Sequence, residues 1–184
     1  MQRIIFFLSI VALSWACESP LSQTQQAQVN QIDTLLYVSD SLYKAMDQVN
    51  DSLLAKDLPV VEDLYKTIAQ ANPDSADKRF WVQEVNRLEL IYSSYNKFLR
   101  DKDAIKEKLA LSTKQLETLR NSVVDRKLDS AQTADYLEDE AQALAEVHLK
   151  FNKRQPGVVV AQGLWDTTRV HFENMAQQIQ SKKR

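Results

Sequence analysis

"WVQEVNRLELIYSSYNKFLRDKDAIKEKLALSTKQLETLRNSVV", residues 81–124, contains no glycine and no proline. Trp81, Val85, Leu88, Tyr92, Tyr95 and Leu99 recur in it at three- and four-residue steps, the spacing that lines one face of an α-helix. Phe80, Ile91 and Phe98 widen that stripe to a neighbouring ridge, so the helix is predicted to pack against more than one other. The pattern continues through Ile105, Leu109, Leu116, Leu119 and Val123. One helix over 76–126 would be about 75 Å long. The alternative is a break at Ser112, which with Gln115 has the form of a capping box.

The rest of the chain is equally poor in breakers, with two glycines and four prolines among 184 residues. The fold class is therefore all-α, and an elongated antiparallel bundle of four long helices and one short helix is expected. Val29, Ile32, Leu36, Tyr43, Met46, Val49 and Leu53, with Ser39 filling the gap, predict a helix over 24–56. Asp57 ahead of Leu58-Pro59 predicts the start of a short second helix, ending before Asn72-Pro73, after which Asp74 or Ser75 caps the third. A turn over Asp125–Asp129, with Asp129 three residues before Gln132, opens a fourth helix over 130–153 that buries Leu137, Ala141, Leu144, Val147 or His148, and Phe151. Gln155-Pro156-Gly157 then interrupts, and a last helix covers 159–181.

The N-terminus reads differently. Arg3 precedes an uncharged run from Ile4 to Leu13. About ten apolar residues are too few to cross a ~30 Å hydrocarbon layer, which takes roughly 20, but they suit the core of a signal peptide. Ala16 then stands before Cys17, the chain's only cysteine. This stretch resembles a bacterial lipoprotein signal peptide, in which a diacylglycerol is attached to the cysteine thiol and cleavage leaves that cysteine at the new N-terminus. Ser14-Trp15 occupy the positions where that family places an aliphatic and then a small residue, with Leu13 one position early. Ser14 and Ala16 also suit an ordinary signal peptidase, which would release a soluble periplasmic product beginning at an unmodified Cys17. The expected organisation is a signal peptide over 1–16, lipidated Cys17 with a flexible linker to residue 28, and a helical bundle over 29–184. The resemblance implies export and membrane attachment through the lipid anchor, in the outer membrane and facing the periplasm or the cell surface.

"LALSTKQLETLRNSVVDRKLDSAQTADYLEDEAQAL", residues 109–144, resembles the helical hairpin of small lipoproteins of Bacteroidota type through its Leu-spaced helix, polar turn and "YLEDE". That family brings no activity that could be carried over.

Several functions are argued against by what the sequence lacks. One cysteine allows neither an internal disulfide nor a Cys-based structural zinc site nor covalent haem. Without residues 1–16 the chain has 22 basic against 25 acidic residues, so no nucleic-acid partner is expected. Neither His148 nor His171 has a Glu three residues before it, as the di-iron carboxylate bundles require. Haem held by Met46 or Met175 with a histidine is set aside, because such residues at helical spacing serve packing. Glu138, Asp139 and Glu140 point about 100° apart around a helix and read as a solvated face. No catalytic residue, metal or cofactor is assigned, and the terminal "SKKR" complements a helix dipole.

"PGVVVAQGLWDT", residues 156–167, spoils the helical pattern. Three consecutive valines cannot share one buried face, and Gly163 inside a helix costs about 1 kcal/mol relative to Ala. In one reading the valines plug a bundle end and Gly163 lets a neighbouring helix or Trp165 approach closely. In the other, Val158, Val159 and Trp165 form an apolar docking patch for a partner protein of the envelope. The function expected is a helical interaction or structural module. The alternative is a carrier holding an apolar ligand or cofactor among Trp81, Tyr92 and Tyr95.

Overall fold

A computed structural model describes residues 20–71 and 78–182. They are all-helical, without a strand. The elements are α1 (Gln23–Asp47), α2 (Asp51–Ala69), α3 (Lys78–Val124), α4 (Ser130–Asn152) and α5 (Gln155–Lys182). The long third helix is unbroken over 47 residues, or about 70 Å. Ser112 caps nothing; it is a small buried residue in its interior.

α3 is the spine of the molecule. Apart from Asp101, its buried positions keep a seven-residue repeat: Glu84, Ile91, Phe98, Ile105, Ser112 and Leu119 form one line, and Leu88, Tyr95, Leu109, Leu116 and Val123 the other. The second line passes through half-buried Lys102. This is the 3.5-residue period of a coiled coil, which keeps one seam facing its partners along a whole helix. The stripe expected from Trp81, Val85, Tyr92 and Leu99 is the half-buried flank of that seam.

The other helices stack in two columns beside the spine. α1 packs on the C-terminal part of α3 and on α4, while α2 packs on the N-terminal part of α3 and on α5. The cross-section is therefore three helices wide, and the rod is as long as α3.

Each column has one joint, and phase explains their different forms. In the first column Met46 is followed by Leu54 and Val49 by Asp57, one residue more than the repeat allows. A continuous helix would carry α2's seam about 100° away from the spine. The chain instead leaves the helix at Gln48–Asn50, where the Asn50 side chain accepts from Leu53 N. The single helix expected over 24–56 is therefore two. α2 begins at Asp51 rather than at Pro59, so it is not short. Pro59 lies inside α2 on its exposed side, so the Ala55 carbonyl that lacks its donor is on the solvent side of the helix.

In the second column Leu137, Leu144, Phe151, Val158, Trp165 and Phe172 keep the seven-residue step across the joint. Only Lys153 and Arg154 depart from the helix, and Lys153 remains right-handed at φ −75°, ψ −16°. α4 and α5 are nearly one helix in two pieces, giving four helices where five separate ones were expected. Pro156 sits in the first turn of α5, where its missing N–H is tolerated.

The ends and turns follow local chemistry. Ser22 caps α1 with a box in which Gln25 N donates to Ser22 Oγ and Ser22 N donates to Gln25 Oε1, each at 3.2 Å. Residues from Gln23 to Gln28 are thus helix rather than flexible linker, and Gln28 is already buried. Asp129 and Gln132 make the expected box at α4. Before it, Lys127 N donates to Ser122 O at 2.8 Å and Arg126 N to Val123 O at 3.0 Å, the double closure of a Schellman motif. The expected cap at Asp74 or Ser75 lies outside the described residues.

The Schellman turn places Arg126 at φ +57°, where side chains are strained. Arg126 is exposed, so Arg126→Gly should raise stability by about 0.5–1 kcal/mol. A urea midpoint that falls, with an unchanged slope, would contradict this account of the turn.

Candidate interaction face on the fifth helix

α5 is held in place at the waist of the rod, where the joints of both columns meet the middle of α3. Arg154, the last residue before α5, donates from Nε to Asp101 Oδ2 at 2.7 Å, and Arg100 Nε donates to Asp101 Oδ1 at 3.1 Å. From the neighbouring position Lys102 Nζ reaches Asp51 Oδ2 at 2.6 Å, at the start of α2, and Lys106 Nζ reaches Asp47 at 3.3 Å, at the end of α1. Asp101 is buried, and first Arg154, then Arg100, hold its carboxyl below the usual range. Lys102 does the same for Asp51.

Below the waist, α5 contributes Val158, Ala161, Trp165, Phe172 and Met175 to a core shared with α2 and α3. Trp165 is 2% exposed and Val158 fully buried, whereas Val159 is 47% exposed. Of the three residues expected in a docking patch, only Val159 reaches solvent. The plug reading is corrected too, because Val158 fills the core near the waist rather than closing a bundle end. Gly163 admits no close approach: a Cβ built there meets nothing within 4 Å. Arg169 lies over the Trp165 ring with its guanidinium carbon 5.6 Å from the centroid.

The helix nevertheless has an unusual outer side. From Gln155 to Trp165 there is no charged residue. A helix uncharged all round is normally buried all round, yet Pro156, Val159, Val160 and Gly163 are exposed. The signal that could have found this face is the phase: carrying the register of Leu137, Leu144 and Phe151 past Pro156-Gly157 puts Val158 and Trp165 inside and Val160 and Gly163 outside.

The remaining candidates disperse. His148 is exposed, its Nε2 3.1 Å from Asn152 Nδ2, and Val147 takes the buried position beside it. His171 Nε2 lies 3.2 Å from Oε2 of buried Glu84, whose Oε1 accepts from Arg87 at 3.0 Å. Phe80 meets the His171 ring edge-on. Met46 and Met175 are core residues in separate clusters. In the acidic run, Glu140 is half-buried with an unpartnered Oε2, and burial, then Asp139, raise its carboxyl; the default of a solvated face therefore fails for Glu140. Trp81 and Tyr92 pack on the lower core and Tyr95 lies within it, with Tyr65 stacked on Tyr92 at 5.7 Å, so these aromatics fill space rather than line it. Burial, with Asp57 and Asp166 nearby, raises the Tyr95 phenol. An open groove of about 450 Å³ lies instead between α1 and α4, beside Gln28, Leu35, Leu137 and Ala141.

Among the described residues no group of three or more His, Cys, Asp or Glu converges as a metal site, and no helix is long and apolar enough to cross a membrane. Comparison with protein-family models, curated proteins and solved structures finds no match to this chain.

Two measurements check this placement. A carboxylate held low contributes stability that is present above its unfolded value of about 3.9 and is lost as pH falls through its folded value. Asp101→Asn should therefore lower the melting temperature at pH 7, and the gap to the parent chain should narrow below about pH 4. A gap independent of pH would refute the waist assignment. Trp165→Ser should cost about 3–5 kcal/mol and Val159→Ser no more than about 0.5; equal effects would mean the phase of α5 is misassigned.

Proposed function

We propose that this protein is an exported, lipid-anchored component of a bacterial cell envelope whose rod is a helical interaction module. The observation that carries the reading is the polarity of the rod. Cys17 stands five positions before Ser22, the cap of α1. Five residues span at most about 18 Å, so a lipid on Cys17 would hold the end formed by the start of α1 and the α3–α4 turn. The uncharged outer side of α5 then lies below the waist, in the half farther from the membrane. Attachment is to the outer membrane, facing the periplasm or the cell surface, and an envelope protein is the partner. No catalysis is assigned: His148 Nε2 lies against Asn152 and His171 Nε2 against Glu84.

A carrier of an apolar ligand is the second reading, and the groove beside Gln28 is the observation that favours it. Mass spectrometry of an organic extract of the purified protein would reveal such a ligand.

A clickable fatty acid fed to producing cells should label the chain, and Cys17→Ser should remove the label and move the protein from the membrane to the soluble fraction. Labelling that survives the substitution refutes the anchor. Two or three acyl chains hold a protein stably, whereas one binds only marginally.

A further inference from the structure

The groove between α1 and α4 is built by two stretches of helix without a cation. From Gln23 to Tyr43 and from Ser130 to Val147 there is no lysine, arginine or histidine, against Asp33, Asp40, Asp135, Glu138, Asp139, Glu140 and Glu146. Arg120 takes up Asp33 and Lys44 takes up Asp40, whereas the five carboxylates of α4 have no ion-pair partner among the described residues. The two helices run in the same direction, as Gln28 Nε2 donates to Ser130 O at 2.7 Å and Leu35 shares a core with Leu137. Gln28 therefore stands at the upper end of the groove, and Glu138, eight positions after Ser130, is about 12 Å further along. Between them the lining is Leu35, Ala134, Leu137 and Ala141.

Both ends lack a donor. Gln28 is 7% exposed, and with Nε2 committed to Ser130 its Oε1 is covered from water and accepts from nothing, an unfavourable state for a buried acceptor. Glu138 is exposed and without a cation. Thr34 Oγ1 donates to Asn30 O at 2.9 Å, which leaves it too as an acceptor. A ligand for this groove has to bring donors and positive charge to its two ends and apolar surface to the middle.

We infer that the groove is a binding site for a linear aliphatic diamine of the polyamine class, one ammonium group donating to Gln28 Oε1, the methylenes lying on Leu35, Leu137 and the two alanines, and the other ammonium group pairing with Glu138. A fatty acid would set its carboxylate against an acceptor at either end, and a long-chain monoamine would leave one end without a donor. The volume of about 450 Å³ is that of a small-molecule site. The inference rests on the carrier reading given above and narrows its ligand; it is independent of the lipid on Cys17.

The test uses the full chain carrying Cys17→Ser, so that no lipid of its own can enter the groove, titrated calorimetrically with diaminooctane, octylamine and octanedioate at low ionic strength, where charge pairing is least screened. Diaminooctane should bind at least about fivefold more tightly than octylamine, and octanedioate should not bind. Glu138→Gln and Gln28→Met should each bring diaminooctane down to the affinity of octylamine. Ala134→Trp, at an exposed position beside the floor, should abolish binding of both amines, and it and Glu138→Gln should keep the parent chain's melting temperature. Equal affinity for the two amines, binding of octanedioate, or diaminooctane binding that survives Ala134→Trp would each overturn the assignment. So would no binding of diaminooctane at all: a ligand in the organic extract would then leave the carrier reading standing, and an empty extract would remove both.

Discussion

The seven-residue repeat of α3 is the constraint that everything else obeys. It runs from Glu84 to Val123 without a slip, so any helix laid against it must present a seam of the same period. The two side columns meet that demand in opposite ways. The second column keeps step through Arg154 and stays almost continuous, while the first carries one residue too many and has to leave the helix at Gln48–Asn50. Loop positions in this protein are set by phase more than by local breakers. Pro59 and Pro156 both sit inside helices, whereas the turn before α2 has neither proline nor glycine.

That explains which parts of the fold were legible in the amino-acid sequence. The helical class follows from composition, and the extent of α3, its turn and the Asp129 cap follow from apolar spacing and capping chemistry. α2 ends at Ala69, ahead of Asn72-Pro73 as expected, but the helix starts inferred around Pro59 and Pro156 were wrong, because a first turn or an exposed helix side tolerates the missing N–H, and Asp57 is a buried residue of α2. The candidate face was half legible. Val158-Val159-Val160 and Gly163 marked the right segment, but local pattern alone could not say which valine turns inward. Phase carried from Phe151 decides it.

Polar residues in the seams were the hardest to foresee. Asp57, Glu84 and Ser112 each occupy an apolar slot, and Asp101 is buried beside the slot of Lys102, where pattern reading treats them as gaps. Burial without partners is costly, and the structure answers with specific contacts: Arg154 for Asp101, Arg87 for Glu84, and the Ser39–Thr113 hydroxyl pair at 2.7 Å beside Ser112. Arg87 lies only three residues from Glu84, but the other two contacts join distant parts of the chain, so no local window contains them. They also separate the apolar interior into blocks and fix the register of each column, since sliding a helix by one repeat would strand a charge.

The coincidence of both joints at one level has a mechanical consequence. A rod resists bending through the stretching and compression of its columns. Over most of its length three hydrogen-bonded helices share that load. At the waist α3 alone is unbroken, and the side columns transmit force through ion pairs and a few turn residues. Those contacts are softer than a helix, so flexing of the rod is concentrated there. Forces applied to the far end swing the lower half about Asp101 and leave the packing on either side undistorted.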